Sequence, residues 1–81
     1  MTDKQILAMQ ALSQDLYRVA IGRHRGQEAM AERFTKEAES RIAELPELPY
    51  REKILISLAS HAERSAEDLL MYSTLVQNRT V

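Results

Sequence analysis

His61 is the side chain best placed for chemistry. Ser57 and Ser65 lie four positions to either side of it, so on a helix either hydroxyl comes within reach of the imidazole, the minimum for an activated nucleophile. The acid that should orient the imidazole is missing locally. Asp68 is two turns away, ~10 Å along a helix axis, and no glycine-rich turn nearby builds an oxyanion hole. His61-Ala62-Glu63 has the His-x-Glu spacing of a zinc deaminase, but the cysteines that complete such a site do not exist in this chain. Neither His24 nor His61 has a glutamate three residues before it, as a di-metal carboxylate bundle requires. Glu28 with Glu32, and Glu63 with Glu67, are carboxylate pairs one turn apart that can hold a hard cation only with help from water, and they read as solvated helix faces. No catalytic residue, metal ligand or cofactor site is expected. His61 reads as a half-buried interface residue, and Ser65 as a small polar break in a helical seam.

Gly22-Arg23-His24-Arg25-Gly26, with Arg18 one turn earlier, is the one concentrated positive patch. Arg18, Arg23, His24 and Arg25 are therefore the candidate anion contacts, since arginine forks grip oxyanions and a helix N-terminus follows. Neither the Walker spacing nor the dinucleotide fingerprint is present. The competing role for these arginines is to cap the carbonyls that end the first helix.

The elements that must position these groups are legible from punctuation. The 81 residues hold two glycines, Gly22 and Gly26, and two prolines, Pro46 and Pro49, in two clusters that cut the chain into three segments. Thr2 and Gln5 have capping-box spacing, and Ile6, Met9, Leu12, Leu16 and Val19 or Ala20 form one stripe of a helix over 3–22. Met30, Phe34, Ala38, Ile42 and Leu45 repeat the pattern over 27–45, with Glu32–Lys36 and Glu37–Arg41 as i,i+4 pairs outside it. Pro46 ends that segment and Pro49 suits the first turn of the next. From 49 to 77 there is no breaker. Leu55, Leu58, Ala62, Ser65, Leu69, Tyr72 and Val76 keep heptad spacing, and Ile56, Ala59, Ala66 and Leu70 form a second stripe.

The reading is an all-α single domain over 1–81, a three-helix antiparallel bundle with a long C-terminal helix assembling into a homo-oligomer. The alternative is a long two-helix hairpin in which the first stripe runs on through residues 22–26. A domain of this size buries only ~60% of the surface its unfolded chain exposes, and without cysteine it has no disulfide to add. A second copy supplies the missing burial, and Ile56, Ala59, Ala66, Leu70 and Met71 are the expected interface. With 11 basic against 12 acidic residues the net charge is −1, which argues against nucleic acid as a bulk partner. No apolar run is long enough to cross a membrane, and the polar N-terminus lacks a signal-peptide core, so a cytoplasmic protein is expected. The expected role is non-enzymatic: a small helical protein that associates with itself and acts through protein contacts. Anionic-ligand or nucleic-acid binding through the arginine patch is the alternative.

Overall fold

The computed structural model describes residues 2–60 and 64–79. All its regular structure is helical: α1 (Asp3–His24), α2 (Glu28–Ala43), α3 (Arg51–Ala59) and α4 (Arg64–Asn78). No helix of the described residues is long and apolar enough to cross a membrane. α1 is the spine. Its start is fixed by both bonds of the capping box: Gln5 N–H donates to Thr2 Oγ1 at 3.2 Å, and Thr2 N–H donates to Gln5 Oε1 at 3.1 Å.

The first turn differs in detail from the expectation. α1 does not stop at Gly22 but runs on to His24, so Gly22 and Arg23 are helical residues. The stop is a Schellman closure around Gly26. Gly26 takes φ 72°, its N–H donates to Arg23 O, and Gln27 N–H donates to Gly22 O at 2.8 Å. α1 and α2 are thus separate helices, and the long two-helix hairpin is set aside. They lie antiparallel, because Asp15 meets Arg41 near the middle while Gly22 meets Ala31 near the turn.

The larger correction concerns the third segment. In place of one helix over 49–77 there are two, parted after Ala59, where Ser60 turns to extended backbone with φ −80° and ψ 139°. The molecule is therefore a four-helix rather than a three-helix arrangement. α4 runs antiparallel to α1, since Ser13 meets Ser73 and Arg23 meets Ser65. Tyr50, which leads into α3, stacks on Tyr72 of α4 with ring centroids 5.9 Å apart, so α3 and α4 also run back along each other. Tyr50 occupies the left-handed region at φ 62°, a conformation costing roughly 1–2 kcal/mol for an L side chain. The Tyr50–Tyr72 pair returns about 0.5–1.5 kcal/mol of that.

The core is built largely from the expected stripes, but Ile6, Met30 and Phe34 are only half-buried and the start of α3 is rotated. Met9, Leu12, Leu16, Val19, Ile42, Leu58, Leu69, Tyr72 and Val76 are buried, while Leu55 is only half-buried and Ile54 takes the interior place. Freed from the phase of a continuous helix, α3 rotates Ile54 inward. Each fully buried Leu, Ile or Val contributes ~1.5–3 kcal/mol. Two polar ties cross this core. Ser13 Oγ donates to Ser73 O and Ser73 Oγ donates to Ser13 O, each at 2.8 Å, so neither buried hydroxyl lacks an acceptor.

The second tie joins α1 to α2. Arg41 Nε donates to Asp15 Oδ2 at 3.1 Å, so Arg41 turns to α1 and makes no ion pair with Glu37, whereas Lys36 and Glu32 pair at 3.8 Å on the exposed surface. Burial raises the Asp15 pKa above the ordinary carboxylate value. The Arg41 hydrogen bond opposes that shift, the charge of Glu37 adds to it, and the charges of Arg41 and Arg18 oppose it. A raised acid pKa means the folded chain holds this proton more tightly than the unfolded one. The stability tied to Asp15 is then complete below the ordinary value of 3.8 and is lost as pH rises through the window above it. Asp15→Asn should accordingly melt at the same temperature as the parent or higher at pH 7. The gap should close when both are melted at a pH below 3.8. A parent that is the more stable at pH 7 would contradict this sign.

Candidate functional site

The four candidate anion contacts do not converge. Arg23 points into the protein. Its Nη1 donates to Ser57 O at 2.9 Å, Ser60 O at 2.8 Å and Ser65 Oγ at 2.9 Å, and its Nη2 donates to Leu58 O. These acceptors include the carbonyls that a helix leaves unsatisfied at its C-terminus. Arg23 therefore caps a helix, as the competing reading of the patch held, but the helix is α3 and not its own. Arg23 is half-buried, and that burial lowers its pKa from the usual guanidinium value.

Of the other members, His24 lines a cleft together with Arg23, whereas Arg18 and Arg25 do not. Arg18 sits over the Phe34 ring with its guanidinium carbon 5.0 Å from the centroid. Arg25 is exposed at the C-cap of α1. His24 is exposed at the rim of a cleft of about 860 Å³, formed where α1 ends, α2 begins, α3 ends and α4 begins. Glu28, Glu32 and Glu67 share that rim, and Ala31, Leu58 and Ala66 lie beneath. The i,i+4 spacing of Glu28 and Glu32 was the signal for this edge, but the cleft itself depends on helix packing that spacing does not specify. Among the described residues no group of three His, Cys, Asp or Glu side chains is placed to hold a metal ion.

His61 lies outside the described residues, as do Ala62 and Glu63. Its two presumed serine partners are both buried and both turned toward Arg23: Ser57 through its backbone carbonyl, Ser65 through its hydroxyl oxygen. The Ser65 hydroxyl thus accepts from a guanidinium, a partner that cannot take up its proton.

The expected interface is redistributed by the helix break. Ile56 is 69% exposed, Met71 49% and Leu70 37%, and Ala59 is also exposed, but Ala66 is buried. Ile56 and Ala59 lie on α3, Leu70 and Met71 on α4, so the second stripe is not the face of one helix. Comparisons with protein-family profiles, curated proteins and solved structures return no match to this chain.

Proposed function

We propose that this chain is a non-enzymatic helical protein that associates with itself and works through protein–protein contacts. The observation that carries the reading is the state of α3. It has nine residues, fewer than an isolated helix needs to persist in water, and it packs on α2 and α4 while presenting Ile56 outward. A second copy laid over Ile56 and Ala59 buries that side chain and stabilises the helix that carries it, with Leu70 and Met71 offering apolar contacts on α4. The small exposed Ala59 lets a partner helix approach closely. A two-fold pairing, in which one patch meets its own copy, is the simplest closed assembly.

The test is the absolute mass in solution, by light scattering behind a sizing column over a concentration series. The 9.3 kDa chain should run as a dimer or a higher assembly at the upper end. Ile56→Glu combined with Leu70→Glu should return it to monomer with its helical circular dichroism intact, because both positions face solvent in the single chain. A parent that stays monomeric throughout, or a double variant of unchanged mass, would sink the proposal.

A further inference from the structure

Arg18 of α1 and Arg33 of α2 converge on one aromatic ring. Their guanidinium carbons stand 5.0 Å and 5.7 Å from the Phe34 centroid. Phe34 is half-buried against the core and both arginines are exposed. The ion pairs among the described residues are Lys36–Glu32 and Arg41–Asp15, so neither guanidinium is closed into a salt bridge; the carboxylate that acts on Arg18 by its charge is Asp15, which is already bonded to Arg41. Glu37, one turn beyond Arg33, makes no ion pair with it. Arg25, two turns beyond Arg18 and also exposed, extends the same face of α1.

Two cations held near one ring repel each other, and an anion bound by both offsets that repulsion. A guanidinium lying on a ring uses its face for the ring and keeps its N–H edge for an acceptor. The ring also restrains two long side chains before any ligand arrives, which lowers the ordering cost of binding.

We propose that Arg18, Phe34 and Arg33 form a binding site for a phosphomonoester. Such a group carries about −1.5 to −2 charges at neutral pH and three acceptor oxygens, enough for two forks, whereas a carboxylate offers one charge and suits one. A nucleic-acid strand is the poorer match, because the chain is net negative and Glu28, Glu32 and Glu67 crowd the nearby end of the bundle. This site goes beyond the self-association reading and uses none of its residues.

The test is a titration of the whole chain with O-phosphoserine, inorganic phosphate, a phosphoserine peptide and oligothymidylate at fixed ionic strength, followed by NMR of the arginine Nε–H signals. Phosphomonoesters should shift Arg18 and Arg33 saturably. Affinity should fall several-fold from pH 7 to pH 5, because the ligand's second pKa is about 6 and arginine does not titrate there. Arg18→Gln with Arg33→Gln should weaken binding at least about tenfold, as expected for two lost charge-assisted contacts. Arg33→Gln alone, at an exposed position, gives the same sign if the double variant loses helicity. Tighter binding of the peptide than of free phosphate places the ligand on a protein, the reverse order places it on a small molecule, and either supports the site. Absence of saturation, equal affinity in the variants, or tighter binding of oligothymidylate than of any monoester would overturn it.

Discussion

Arg23→Ala should destabilise the fold by about 2–4 kcal/mol, since each part-buried acceptor left without its donor costs up to about 1–3 kcal/mol. One side chain is responsible for four contacts that close α3 and tie it to the start of α4. Its removal takes the side-chain donor from the Ser57 and Leu58 carbonyls at the end of α3, and it deletes the positive charge that favours the C-terminal end of the α3 dipole. For a domain of this size each kcal/mol lowers the melting temperature by roughly 4–8 °C. Arg23→Lys should restore less than half of the loss, because an ammonium has three donors on a single nitrogen and cannot span carbonyls that the planar fork reaches with two. Chemical denaturation with parent, alanine and lysine variants checks the order. Amide exchange adds the location: protection should fall first in α3 and least along the contact of α1 with α2. A loss below about 1 kcal/mol, the worth of one ordinary surface contact, would show that Arg23 does not hold the break.

The same residue marks the boundary of what could be read in advance. Thr2, Gln5, Gly26 and the proline pair act on neighbours a few positions away, so the first cap, the first turn and the end of α2 were all visible as local patterns. The break after Ala59 is different in kind. No glycine or proline stands there, the heptad spacing runs straight across it, and the group that satisfies its carbonyls comes from 34 to 37 positions earlier in the chain. A periodicity argument sees only the helix that the segment would form alone. It therefore joined Ile56 and Leu70 into one stripe and assigned Arg23 to an anion or to the end of its own helix, two consequences of one missing tertiary contact.

The buried polar groups were hidden for a related reason. Ser13 and Asp15 flank the α1 stripe and look like its solvent edge, until α4 and α2 close over them and bring Ser73 and Arg41 as partners. Arg41 also shows how a long side chain chooses: the i,i+4 glutamate was the partner spacing suggested, but a buried carboxylate on α1 outcompetes an intrahelical one because it cannot turn to water. Of the candidate site, the cationic character of Arg18 and the aromatic Phe34 were each visible. Their meeting was not, since it depends on how closely α1 and α2 approach.

That approach is governed by Gly22, and Gly22→Val should cost about 2–4 kcal/mol, somewhat beyond a routine overpacking loss. A Cβ at this position would lie 3.1 Å from the Ala31 Cβ, 3.2 Å from the Met30 Cε and 3.3 Å from the Ala31 Cα. The methionine can swing aside, but Ala31 cannot retreat without moving the backbone of α2, and the branched methyls of valine add to a gap already filled. Gly22→Ala poses the finer question. Helix propensity favours alanine by about 1 kcal/mol inside a helix, against a contact tighter than normal packing accepts. The net change should be a small loss, with α1 and α2 pushed apart. Adding Ala31→Gly removes the opposing methyl, so in a double-mutant cycle the two substitutions should couple favourably, the pair costing less than the sum of its parts. If they prove additive, Gly22 serves only as a flexible residue before the turn. Favourable coupling would establish that its missing side chain sets the helix spacing that brings Arg18 and Arg33 onto one ring.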